Sequence, residues 1–184
     1  MKKIMLNDKY GLTQAVLGGQ KTITRRTVPE ELLECITWYA QGDKADLIYR
    51  LIANSTYRVG EVVAISQAYK DIYNDAYHIG LYGRAAGWTN KMFVKAELMP
   101  PHIKLTNIRV ERLQDISDED CLREGIYMDY DAHGGLPFYD YYNNQHNGFD
   151  TPREAFVALI DKVSGKGTWE SNPLVWVYEF ELVD

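Results

Sequence analysis

Cysteine is scarce in this chain. Its 184 residues hold two, Cys35 and Cys121, too few for a disulfide scaffold and not arranged as Cys-x-x-Cys. The four histidines, His78, His102, His133 and His146, show no metal-ligand spacing. No apolar run approaches the roughly 18 residues that a membrane span needs, and the opening residues turn polar by Asn7-Asp8, too soon for a secretory leader. Basic charge is short as well: 20 Lys and Arg face 26 Asp and Glu, a poor balance for a non-specific nucleic-acid coat. Gly18-Gly19-Gln20-Lys21-Thr22 lacks the Gly-Lys-Ser/Thr ending of a phosphate-binding loop and follows a helix pattern, not a strand. No Gly-x-Ser-x-Gly elbow is present. These absences leave a reduced, cytoplasmic, cofactor-free protein with no metal and no membrane partner as the expectation.

The hydrophobic content, 46%, supports a globular core, and the length suits one domain, 1–184. The charges are unevenly spread. Residues 1–26 carry six basic groups and one acid, residues 89–112 are also basic, and residues 113–150 hold nine acids against Arg123 alone. The chain can thus present a local basic face, or its patches can neutralise one another in the fold.

Local patterns set out the elements. Leu12, Ala15 and Val16 recur at helical spacing over 9–18, ended by Gly18-Gly19. Residues 29–53 read as two helices broken at Gln41-Gly42-Asp43, and 62–65 as a short apolar strand. Glycines at 80, 83 and 87 argue against regular structure over 74–100. Residues 103–113 form a strand whose alternation changes phase, which predicts a bulge near Thr106-Asn107. Ser117 reads as the N-cap of a helix ending at Gly125, and Thr151-Pro152-Arg153-Glu154 as a capping box. Residues 127–150, rich in aromatics, predict a long surface loop or a short hairpin, not a core element. Residues 174–183 alternate as a terminal strand, with Trp176, Tyr178 and Phe180 on one face.

The chemistry that remains lies in Gly19-Gln20-Lys21-Thr22-Ile23-Thr24-Arg25-Arg26. A lysine, two hydroxyls and two arginines just past a helix end suit a phosphate or a polar heterocycle, and equally a solvated basic turn. Trp169, in a loop beside Asn172-Pro173, is a candidate to stack a base; Trp176 reads as core.

Gly19-x-Lys21-x4-Arg26 resembles the Gly-x-Lys-x4-Arg signature of the ASCH domain, a relative of the PUA RNA-binding fold. Tyr57-Arg58-Val59-Gly60-Glu61-Val62-Val63, the run Ile103 to Asp120, Glu124-Gly125-Ile126 and Trp169 to Val177 are similar to phage-encoded members of that family. Ser66-Gln67-Ala68-Tyr69 stands where those relatives carry Arg-Glu-x-Trp, and His102 where they carry Arg. The resemblance implies an α+β fold, a PUA-like mixed β-barrel with helices packed at its rim, with insertions at 29–56 and 127–150. It implies a cleft for RNA or a modified nucleoside, bounded by Gly19, Thr22, Arg25, Arg26, Trp169 and Asn172. It also implies an alternative: an amidohydrolase that removes the acyl group of N4-acetylcytidine, with Lys21, Thr24 and Glu124 as the catalytic set. A phage structural or adaptor role, through the tyrosine-rich insertion, is the third reading. For the lysine to act as a nucleophile it must lose its proton, which burial or Arg25 and Arg26 would favour.

Overall fold

The computed structural model describes residues 1–130, 135–142, 144 and 148–183. In chain order the elements are β1 (Lys3–Ile4), α1 (Leu12–Leu17), β2 (Ile23–Thr27), α2 (Glu30–Ala40), α3 (Lys44–Ala53), β3 (Val62–Ile65), α4 (Tyr69–Ile72), α5 (Ala76–Tyr82), β4 (His102–Arg112), α6 (Asp118–Arg123), β5 (Tyr127–Tyr130), β6 (Pro137–Asp140), α7 (Pro152–Ser164), α8 (Thr168–Ser171) and β7 (Leu174–Leu182).

Most boundaries follow the local signals. Ser117 Oγ accepts from the Asp120 N–H at the start of α6, and Thr151 and Glu154 close both halves of the capping box on α7. Asp43 caps α3 after the break at Gln41-Gly42, where both residues take positive φ. The register of β4 against β7 slips between Leu105 and Asn107, so the bulge restores the inward phase of Ile108. Two expectations need correction. The 9–18 helix is split at Gly11, with a 3-10 turn at Asp8–Tyr10 ahead of α1. The 74–100 stretch contains the helix α5 despite Gly80, because Asp75 Oδ1 caps it by accepting from the His78 N–H at 3.0 Å.

Five strands form a mixed sheet in the order β1-β3-β4-β7-β2; β1 and β3 are parallel and the other pairs antiparallel. β5 and β6 make a separate hairpin, so the hairpin reading of 127–150 holds for its described part; Gly134 and Asn143 lie outside the described residues. The fold is α+β, but the expected barrel does not close: β1 and β2 are edges with no strand pairing between them. Arg26 spans the gap instead, donating from Nη2 to the carbonyl of Met5, just beyond β1. A side chain, not a ladder, therefore links the two edges.

β7 lies between β4 and β2, and its segment from Val175 to Tyr178 is buried on both faces. It is an interior strand, one in from the β2 edge, and both of its faces are covered over that stretch. One main core gathers Ile4, Ile23, Val63, Ile103, Leu105, Val177 and Tyr178 from the sheet with Phe156 and Leu159 from α7. The 29–56 segment joins it through Ile36 and Leu51, and the Trp176 indole donates to the Leu51 carbonyl at 2.8 Å. Tyr141, from the 127–150 segment, is fully buried in the same core and meets Tyr10 edge-on. The expectation that 127–150 stays out of the core is thus corrected at Tyr141.

Candidate functional site

The strand register decides which charges meet. Arg25 on β2 lies opposite Val177 on β7, which lies opposite Arg109 on β4. One step along, Thr27, Val175 and Glu111 share a row, and Ile23 faces Glu179. Alternation therefore collects Arg25, Arg109, Glu111 and Glu179 on one face of the sheet. Helix α6 packs there and adds Asp120 and Arg123, with Glu124 at its C-cap.

The result is a lattice of four cations and four carboxylates. Arg25 donates to Glu111 at 2.6 Å, Asp120 at 2.9 Å and Glu124 at 3.1 Å. Arg109 bonds Glu111, Asp120 and Glu179. Arg123 bonds Asp120 and Glu179, and its Nε donates to Thr22 Oγ1 at 3.1 Å. Lys21 completes the set: its Nζ bonds the Glu124 carboxylate and, at 2.8 Å, the Glu124 carbonyl. The Lys21 and Arg25 side chains are each 1% exposed, so both charges rely on these partners.

Burial and pairing pull the titrations in opposite directions. Burial pushes the Lys21 amine below the ordinary lysine value, against the attraction of Glu124, and Arg26 and Arg25 add to the lowering. Burial opposes ionisation of Asp120, but Arg25, Arg109 and Arg123 together hold its carboxyl below the usual range. Glu179 is likewise lowered: Arg123, Asn107 and Arg109 outweigh its desolvation. Burial pushes the Cys121 thiol up to about 12, which makes it an inert core group.

Lys21, Thr24, Arg25, Arg26 and Glu124 line one small cavity together with Leu6, Asn7 and the α7 residues Phe156, Leu159, Ile160, Val163 and Ser164. It lies where β2 has no strand neighbour, in the gap spanned by Arg26, so residues from both faces of the strand reach it. Its volume is about 30 Å³, room for one or two waters but not for a nucleoside.

The other expected residues go elsewhere. Gly19 takes φ +74° and turns the chain out of α1, its N–H donating to Val16; a side chain there would meet open space. Thr22 is held on both sides by Arg123, through its N–H to the Arg123 carbonyl and through its hydroxyl. Trp169 sits against Phe156 with the Arg153 guanidinium 5.1 Å from its ring centroid. Asn172 accepts from the Gln114 N–H at 2.9 Å. Trp169 and Asn172 are not among the residues of the Lys21 cavity. The sequence reading did not single out Arg109, Glu111, Asp120, Arg123 and Glu179. The alternation Arg109-x-Glu111 in β4, and a lone Glu179 in an apolar stretch of β7, were the available signals.

A larger cavity, about 550 Å³, lies beside α1. Gly125 lines it while touching the Lys21 stem, with φ +105° and 3.8 Å between a notional Cβ and Lys21 Cδ. Among the described residues no group of three or more His, Cys, Asp or Glu is placed to hold a metal ion, and no helix is long and apolar enough to cross a membrane. Comparison of the chain with protein-family models, with curated proteins and with solved structures finds no match.

Proposed function

We propose that this protein is a PUA-like, ASCH-type amidohydrolase acting on an N-acylated nucleoside such as N4-acetylcytidine. The observation that carries the reading is a lysine amine, lowered in pKa and 1% exposed, bonded to Glu124 in a cavity it shares with Thr24. A lowered amine holds its proton less firmly, which suits the pair to accept and return one. Attack by Lys21 itself would give an acyl-lysine, an amide no easier to cleave than the substrate. A water held against the pair is the better nucleophile. Its proton passes to the Lys21–Glu124 pair, its oxygen forms the new bond to the acyl carbon, and the C–N bond breaks. The pair returns the proton to the departing nitrogen, so amide and water become carboxylic acid and amine. Thr24 and the Arg26 guanidinium, which has no carboxylate partner among the described residues, are the groups available to stabilise the developing oxyanion.

The same cavity holds too little space for a nucleoside, so catalysis requires Leu6-Asn7 or the end of α7 to move aside. Binding of RNA or a nucleoside without chemistry is the second reading. It draws on the near-complete pairing of the cluster, which also suits a purely structural role. Turnover of N4-acetylcytidine, wild type beside Lys21→Ala, separates the two. Cytidine from the wild type alone supports the hydrolase. No cytidine from either protein, with salt-sensitive RNA or nucleoside binding that weakens in Arg26→Ala, supports the binding module. Equal turnover in both refutes the lysine mechanism.

A further inference from the structure

The 550 Å³ cavity has a chemistry of its own. Four stretches of chain converge on it: the turn and helix around α1, Gln67 in the β3–α4 connection with Asp71 in α4, the exit from α6 at Gly125 with Tyr127, and Tyr142 after β6. Two glycines are fixed by this convergence. Gly11, φ +64°, would bring a Cβ within 2.7 Å of Tyr142 Cβ, and Gly125 would bring one within 3.3 Å of Leu12. A side chain at either position would push its neighbour aside, so the cavity's shape depends on both.

Its walls are aromatic and amide-rich, and its charge is negative. Tyr10, Tyr127 and Tyr142 supply three phenol rings; Gln14, Gln20 and Gln67 supply amides. Among the described residues the charged lining groups are Asp8 and Asp71, with no Lys or Arg in the lining. Asp8 is already neutralised by Lys91 at 2.7 Å and also accepts from Thr13. The Asp71 carboxylate has neither a hydrogen bond nor an ion pair among the described residues. The side chains of Gln14, Gln67, Tyr127 and Tyr142 are equally uncommitted. An anion would meet the unopposed Asp71 carboxylate here, and the nearby Lys91 ammonium is already engaged by Asp8. A cation would meet Asp71 and ring faces, which attract positive charge through their quadrupoles. The protein already uses one of these rings in that way: the Lys9 ammonium lies 5.5 Å from the Tyr10 centroid.

We propose that this cavity is a binding site for a planar organic cation, distinct from the Lys21 cavity and independent of whether Lys21 takes part in catalysis. The ring of such a ligand lies among the tyrosines, and its amidinium or ammonium group faces Asp71. Its volume falls within the range of small-molecule sites, about 300–1,000 Å³.

Three isosteres of different charge test the assignment: benzamidine, benzamide and benzoate, titrated by NMR chemical-shift change. Benzamidine is expected to bind with a Kd of about 1–10 mM, as suits a fragment of about nine heavy atoms. Benzoate is expected to bind at least about tenfold more weakly, with benzamide between them. Asp71→Asn should weaken benzamidine about two- to fivefold, the range for an exposed charge pair, and leave benzamide unchanged. Gln14→Trp, at an exposed position of α1, fills the cavity and should abolish binding; Arg26→Gln, at the other cavity, should not affect it. The proposal is overturned by no benzamidine shift at about 20 mM, by benzoate binding as well as benzamidine, or by loss in Arg26→Gln with Gln14→Trp unaffected.

Discussion

Replacing Glu124 by Gln probes the buried lattice most directly. The carboxylate serves two donors at once, with Lys21 Nζ on one oxygen and Arg25 Nη1 at 3.1 Å on the other. Glutamine keeps the shape but offers one acceptor and one donor, so one of these contacts becomes donor against donor. Four cations are then left with three carboxylates. Removing one partner of a buried pair costs about 3–5 kcal/mol. The lower end applies here, for two reasons. Arg25 retains Glu111 and Asp120, and Lys21 can shed its proton while keeping the Glu124 carbonyl at 2.8 Å. The expected loss is therefore about 3 kcal/mol in urea unfolding at pH 7. At about 2–4 °C per kcal/mol for a chain of this size, Tm falls by about 6–12 °C. Lys21→Met should cost less, about 1–2 kcal/mol, because Glu124 keeps Arg25. In the double variant the two losses should fall short of their sum by at least about 1 kcal/mol. A loss below about 0.5 kcal/mol in Glu124→Gln, or strict additivity, would refute the reasoning.

Three further outcomes follow from the geometry. Asp120 and Glu179 are held below their ordinary values, so the unfolded chain binds more protons as pH drops below about 4; stability is present above that range and declines through it. The urea midpoint should fall from pH 5 to pH 3, and less steeply in Asp120→Asn; parallel slopes would count against the assignment. Lys21 acts at the alkaline end: between its lowered value and the unfolded value near 10.4 the unfolded chain holds the extra proton. Its contribution to stability therefore rises with pH over that window, an effect that should vanish in Lys21→Met. Of the two cysteines, Cys35 is exposed and Cys121 is buried with its thiol raised to about 12; a native-state thiol titration should label one group quickly, and rapid labelling of two would contradict the packing.

The elements were largely legible in the chain because their signals are local. The caps at Ser117 and Thr151, the break at Gln41-Gly42-Asp43 and the phase change in 103–113 each act within a few residues, and each recurs in the fold. The 74–100 stretch misled because its glycines outweighed a single Asp75 cap that opens α5. Of the site, Lys21, Thr24 and Glu124 do line one cavity with Arg25 and Arg26. Trp169 and Asn172 are bound up instead with Phe156, Arg153 and Gln114.

By itself, then, the sequence determined where β3, α6, α7 and β7 begin, that residues 19–26 concentrate basic groups, and that acids concentrate after residue 113. The tertiary structure decided what those charges do. Placing β7 between β4 and β2, and laying α6 across one face, sets Arg25, Arg109 and Arg123 among Glu111, Asp120 and Glu179. A basic stretch thereby becomes a neutralised lattice rather than an open phosphate-binding face. Its residues are separated by up to 158 positions, from Lys21 to Glu179, and no local pattern encodes which strands become neighbours. Nor does any encode the gap between β1 and β2, spanned by Arg26, beside which the Lys21 side chain is buried.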